Sequence, residues 1–194
     1  MIKVETGTNL IARYDYVVPE DFCDQLVKYI RTEKPLIKTV TAGYPWNNND
    51  NISFANIADK NVRAVVDSYR FLFTQMVGNH YNKIVYPHFS DLVVWRKGMS
   101  MPFHKDDGYQ NREYFSARKY SMVAYLNDNY SGGETVIKYE DKEFVSKPKK
   151  GSIVFFKSNE ECLHCVNEVL QGTRYTLATW FTEDVGLCDV LDRY

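Results

Sequence analysis

From Pro87 onward the chain changes texture, and that change constrains the fold more than any other feature. Runs rich in apolar and β-branched residues recur at 91–97, 101–106, 119–126, 134–138, 143–146, 152–157, 162–167 and 173–182, each closed by turn-forming residues. Many short strands at this spacing fold as a sandwich or barrel. Glu140-Asp141 is expected as a hairpin turn, and Gly132-Gly133 as a loop tip. Upstream the pattern differs. Residues 1–18 read as one or two short strands, and Pro19-Glu20-Asp21 as a helix start with acid in its first turn. Phe22, Leu26, Tyr29 and Ile30 share one face of a helix running to about Thr32. Leu36 to Thr41 looks like a strand, and 44–51 like an Asn-rich loop. From about Asp59, Val62, Val65, Val66, Tyr69, Phe73, Met76 and Val77 recur at helical spacing, giving the longest helix, ending near Gly78 or Asn82. That stripe is expected to pack on a sheet.

The length of 194 residues suits one domain, with 1–88 as support and 89–184 as the core. A net charge of −1 offers no basic footprint for nucleic acid or a membrane surface. The N-terminus lacks an apolar leader and no run approaches the length of a membrane span, so neither secretion nor membrane insertion is expected. Cys23, Cys162, Cys165 and Cys188, without secretory context, read as reduced thiols of a cytosol-like compartment. Fifteen tyrosines suit β-structure and pocket walls that join apolar area to a hydroxyl.

The chemistry gathers in Met101-Pro102-Phe103-His104-Lys105-Asp106. Two apart on an extended segment, His104 and Asp106 point to the same face. A third ligand is available from His164, in Cys162-Leu163-His164-Cys165. Two imidazoles and a carboxylate on one side of a metal leave the other positions open, as in non-haem Fe(II) oxygenases. Structural zinc at Cys162 and Cys165 is disfavoured, because no second cysteine pair stands at ligand spacing and Cys165 faces away from His164 on a strand. His80 and His88 read as surface or packing histidines. In Gly172 to Phe181 an arginine, Arg174, sits among apolar residues, where a buried cation needs an anion.

This order of motifs resembles the 2-oxoglutarate and Fe(II)-dependent oxygenases, and within them the prolyl 4-hydroxylase-like branch. Tyr125-Leu126-Asn127-Asp128 followed by Gly132-Gly133-Glu134-Thr135 looks like that branch's YLND…GGET signature. Lys147 to Phe156 looks like its strand leading to the distal histidine. The likeness covers roughly Asp91 to Asp184. It implies an α+β, mainly β protein: a double-stranded β-helix, or jelly roll, braced by N-terminal helices. It also implies Fe(II), 2-oxoglutarate and O₂ as cofactor and co-substrates, with ascorbate as an optional accessory. His104, Asp106 and His164 then hold iron, and Arg174 takes the far carboxylate of 2-oxoglutarate through its guanidinium fork. Tyr125 and Thr176 add hydroxyls there, and Trp180 walls the pocket.

The implied reaction oxidatively decarboxylates 2-oxoglutarate to succinate and CO₂ and hydroxylates an unactivated C–H, first of all that of a prolyl residue in a peptide or protein. A free amino acid or other small molecule is the rival substrate class, and a jelly-roll binding module without turnover the rival function. The chain departs from the pattern at Met101, where prolyl hydroxylases usually carry tyrosine, and at Trp95, near another such position. The co-substrate anchor is expected to be thinner on that side. The stretch 107–116 is the natural lid over a substrate, with the loop at 44–51 as the opposite lip.

Overall fold

The computed structural model describes residues 1–33, 50–108 and 116–189. Leu36–Thr41, most of the 44–51 loop and most of the 107–116 stretch lie outside the described residues.

Two helices are described. Helix α1 spans Glu20–Thr32 and buries Phe22, Cys23, Leu26, Val27, Tyr29 and Ile30. Helix α2 spans Lys60–Tyr81. Its start is set by Asp59, whose carboxylate accepts from the backbone N–H groups of Asn61 and Val62, two donors with no partner inside the helix. It ends on Asn82, in the left-handed conformation at φ 52°.

The strands, in chain order, are β1 (Ile2–Val4), β2 (Ile11–Asp15), β3 (Asp50–Ser53), β4 (Tyr86–Arg96), β5 (Met101–His104), β6 (Tyr120–Tyr125), β7 (Ser131–Gly132), β8 (Thr135–Tyr139), β9 (Lys142–Ser146), β10 (Ile153–Lys157), β11 (Leu163–Val166), β12 (Val169–Gln171) and β13 (Thr173–Thr182). Among the described residues they form a seven-stranded sheet in the order β1-β2-β10-β6-β13-β4-β3 and a four-stranded sheet β5-β11-β8-β9, with β12 pairing β7. All pairings are antiparallel. From β4 onward the chain crosses back and forth between the two, with β4, β6, β10 and β13 in the larger sheet and β5, β8–β9 and β11 in the smaller, which is the jelly-roll arrangement. Glu140 and Asp141 form the two-residue link of the β8–β9 hairpin, with Glu140 at φ 50°.

The larger sheet is buried on both faces. On one face Ala12, Leu92, Val94, Ala124, Phe155, Leu177 and Phe181 pack with α1 and α2 into the main core. On the other, Val93, Trp95, Ala178 and Trp180 meet Met101 and Val166 of the smaller sheet. This explains why β4 and β13 show almost no polar alternation: a strand covered on both sides reads as a continuous buried run. Helix bracing therefore leaves the inner face of the larger sheet free to build a site.

Gly132-Gly133 is not a loop tip. Ser131–Gly132 pairs with Val169–Gln171, and the Gly133 N–H donates to the Glu168 carbonyl. Gly132 stands at φ +73°, and a Cβ there would overlap the Glu168 carbonyl oxygen. The close approach needs glycine for both reasons. Gly132→Ala is expected to lose ~2–3 kcal/mol of stability, read as a lower midpoint in denaturant unfolding. An unchanged midpoint would contradict the crowded geometry.

Candidate metal centre

His104 and His164 come together because β5 and β11 are neighbours: the two histidines are direct partners in the strand register. Their ring centroids lie 4.1 Å apart. Asp106 arrives differently from the simple alternation of an extended run. Strand β5 stops at His104, and the chain then bends so that the N–H groups of Asp106 and Asp107 both donate to the Ser158 carbonyl, at 2.9 and 3.0 Å. The carboxylate faces both histidines, with Oδ1 3.6 Å from His104 Nε2 and Oδ2 3.4 Å from His164 Nε2. At these separations the atoms converge on a common point without good hydrogen bonds to each other. One potential ligand atom from each of the three residues lies within 4.8 Å of the others.

Protonation suits a cation. His104 Nδ1 lies 2.8 Å from the Pro102 carbonyl, which fixes a proton on Nδ1 and turns Nε2, buried without a hydrogen-bond partner, toward Asp106 as the atom a metal would take in place of a proton. Burial, helped by positive charge on His104, pushes His164 down to about 3 and keeps its imidazole neutral. Burial of Asp106 opposes its ionisation. His164, His104 and Arg118 outweigh that and hold its carboxyl below the usual carboxylate range. Burial also works to lower His104, but the Asp106 carboxylate and the Pro102 carbonyl raise it. A neutral imidazole, a second imidazole beside a carboxylate, and no thiolate form a donor set that fits Fe(II). Cys162 and Cys165 stay outside the cluster: the Cys162 thiol points to the Leu10 carbonyl and Cys165 to Asn167. His80 rests on Tyr81 and Phe155, and His88 is fully buried.

A pocket opens beside these residues, walled by Trp95, Met101, Thr135, Arg174, Thr176 and Trp180. Arg174, Thr176, Ala178 and Trp180 project into it because they alternate along β13. Arg174 is 1% exposed. One guanidinium nitrogen donates to Thr135 Oγ1 at 3.1 Å, and the carbon of the fork lies 5.4 Å from the ring centres of both Trp95 and Tyr125. Its Nε has no acceptor, and the buried Tyr130 hydroxyl lies against the guanidinium. Burial raises the Tyr130 pKa, with Arg174 opposing. A buried guanidinium with an N–H left without an acceptor calls for an anion, and its fork matches one with two oxygens. The Tyr125 hydroxyl is engaged behind this clamp, 2.9 Å from Thr135 Oγ1 and 3.0 Å from the Ser146 carbonyl. Trp180 is covered by Arg118, whose guanidinium carbon lies 4.2 Å from the ring centre.

The order of strands and the His-Asp-His group beside a pocket with a buried arginine match one family. Residues 88–182 fit the model of the 2OG-Fe(II) oxygenase superfamily. The chain belongs to that family. That family is one of Fe(II)- and 2-oxoglutarate-dependent oxygenases, and the His-Asp-His donor set and the buried Arg174 fit those two groups. Among curated relatives, prolyl 3-hydroxylase 2 of Rattus norvegicus is 30% identical over 143 residues, which is 68% of this chain and 20% of that protein. The 2-oxoglutarate and iron-dependent oxygenase domain-containing protein 3 of Rattus norvegicus is 38% identical over 66 residues, 32% of this chain and 21% of that protein. The chain thus spans about a fifth of the length of these relatives.

Solved prolyl hydroxylases are among the structures that share the fold. A Pseudomonas putida prolyl-4-hydroxylase superposes with a TM-score of 0.68 at 19% identity, covering 92% of this chain and 95% of that one. The viral collagen prolyl hydroxylase of Paramecium bursaria Chlorella virus-1, in its 2OG complex, gives 0.69 at 17% identity over 93% and 99%.

Reading residues in sequence order missed Ser121, Thr135, Tyr130 and Ser158 around this oxygenase site. Thr135 lay within the quoted GGET motif, and β8 alternation puts it on one face with Ile137, the register partner of His164. For Tyr130 and Ser158 no local signal exists.

Proposed function

We propose that this chain is a 2-oxoglutarate- and Fe(II)-dependent hydroxylase acting on a prolyl residue in a peptide or protein. His104, Asp106 and His164 hold the iron. Arg174, with Thr135, Tyr130 and Thr176 around it and Tyr125 supporting Thr135, holds the far carboxylate of 2-oxoglutarate. Trp180 and Trp95 wall the pocket and exclude water.

The observation that carries this reading is Arg174, a buried cation whose hydrogen-bond neighbours are neutral, in the same pocket as the His-Asp-His group. A fork of this kind selects a carboxylate by shape and charge together. Iron held there would supply the activation of O₂ toward the 2-oxo acid, and the protein's share is to position the reactants and keep the site dry. One O₂ is divided between succinate and the hydroxylated carbon, with CO₂ released, so no further reductant is needed in a coupled turnover.

The prolyl assignment is supported by the relatives named prolyl 3-hydroxylase and by the fold shared with prolyl hydroxylases, one of them, from Trichoplax adhaerens, solved with a hypoxia inducible factor peptide fragment. The test is succinate release with Fe(II), 2-oxoglutarate and a panel of proline-containing peptides, with free proline as the comparison. A mass gain of one oxygen on a peptide proline, placed at C3 or C4 by fragmentation and NMR, is the expected outcome. Turnover on free proline alone moves the substrate class to small molecules. 2-Oxoglutarate binding without succinate under every condition removes the enzymatic reading.

A further inference from the structure

Two serines stand behind Asp106. Ser121 Oγ lies 2.6 Å from Asp106 Oδ2, and Ser158 Oγ lies 2.7 Å from Ser121 Oγ. Both serines are nearly sealed from solvent, at 3% and 0% exposed. The direction of this chain follows from counting protons. An ionised carboxylate only accepts, and a serine hydroxyl has one hydrogen. Ser121 therefore donates to Asp106, and the hydrogen between the two serines comes from Ser158. Ser158 also sets the backbone of the site. Its carbonyl accepts the N–H groups of Asp106 and Asp107, and its own N–H donates to the Lys119 carbonyl. One residue at the end of β10 thus holds the bend after His104 and, through Ser121, the carboxylate as well.

The relay acts on one oxygen. Oδ2 takes the Ser121 hydroxyl at 2.6 Å, whereas Oδ1 faces His104 Nε2 at 3.6 Å. A carboxylate held this way offers a single oxygen to a metal. A freely turning one can chelate with both oxygens and take up a position that the co-substrates need. We propose that Ser158 and Ser121 form a one-way hydroxyl relay that keeps Asp106 a one-oxygen ligand; both are positioning residues. The inference rests on the reading that His104, Asp106 and His164 hold the metal.

The test uses the full chain under anaerobic conditions with Co(II) as a probe, followed by its visible absorption, and then 2-oxoglutarate added to the Co(II)-loaded protein. Neither step depends on turnover. Ser121→Ala is expected to weaken Co(II) binding about tenfold and to weaken the subsequent 2-oxoglutarate binding as well. Ser121→Thr, which keeps the hydroxyl, is expected to restore both. Because Ser158 reaches the carboxylate hydroxyl only through Ser121, the Ser121→Ala/Ser158→Ala pair is expected to bind Co(II) no more weakly than Ser121→Ala alone. Wild-type affinities in Ser121→Ala, or losses that add in the double variant, overturn the relay. Should Ser121→Ala fail to fold, Ser121→Cys keeps the volume with a much weaker donor, and wild-type binding there overturns it equally. If the wild-type chain itself takes up no Co(II), the metal assignment falls and the relay with it. Binding that is intact in wild type and indifferent to Ser121 removes the relay alone.

Discussion

Asp106→Ala is expected to abolish metal retention and turnover together. Partners that merely orient a metal ligand are worth about 10- to 100-fold in affinity or activity, so removing a ligand should cost more than ~100-fold. The geometry sharpens the expectation. Asp106 is 5% exposed and is the one anion facing both His104 and His164 among the described residues. Without it, two imidazoles whose rings lie 4.1 Å apart have no counter-charge, and a bound cation would repel any proton on either. The Ser121 hydroxyl also loses its buried acceptor. Anaerobic equilibrium dialysis against Fe(II), paired with succinate release in air, measures both effects. His104→Ala should match it, since Nε2 is removed while the Pro102 carbonyl merely loses a neighbour. Fe(II) retention and succinate formation within tenfold of wild type in either variant would sink the metal assignment.

The second large effect is at Arg174. Arg174→Ala is expected to leave Fe(II) binding near wild type and to raise the 2-oxoglutarate concentration needed for half-maximal turnover by about 100-fold. A hydrogen bond to a charged group contributes about 1.5–3 kcal/mol, and two parallel bonds to one carboxylate give ~3 kcal/mol or more, equal to about two decades in affinity. Arg174→Lys keeps the charge but not the fork, and should fall between the two. Thr135 and Tyr130 stay in place in both variants, so the residual binding measures the hydroxyl part of the clamp. A half-saturating concentration unchanged in Arg174→Ala would place the co-substrate carboxylate elsewhere. Loss of iron binding in that variant would mean that Arg174 chiefly supports the fold. Either outcome is clear in a 2-oxoglutarate titration at fixed Fe(II).

Much of the fold was legible because its signals are local. The α2 stripe from Val62 to Val77 needs only helical periodicity, and Asp59 at its start needs only the unpaired N–H groups of the first turn. The short strands after Pro87 announce themselves by turn residues between apolar runs. Where local signals failed, a distant strand was responsible. Gly132-Gly133 looks like a loop tip because two glycines suit one; a ladder with Val169–Gln171 makes them a strand end instead. The site divides in the same way. His104 is placed by its own strand and His164 by register with it. Asp106 is placed by a carbonyl on Ser158, far along the chain, because β5 ends too early for alternation to reach it.

By itself the sequence determined which side chains carry the chemistry. Imidazole, carboxylate and guanidinium are properties of residue type, and their order along the chain survives any packing. It also determined which face of β13 carries Arg174, Thr176 and Trp180, since side chains on a strand must alternate. Tertiary structure alone decided how those groups are held. The neutral state of His164 comes from burial and a nearby cation, the hydrogen bond to Asp106 Oδ2 comes from Ser121, and the missing acceptor at Arg174 Nε comes from what the two sheets leave unpaired. Each is a distance between residues remote in sequence, and protonation and hydrogen bonding depend on distance rather than on order.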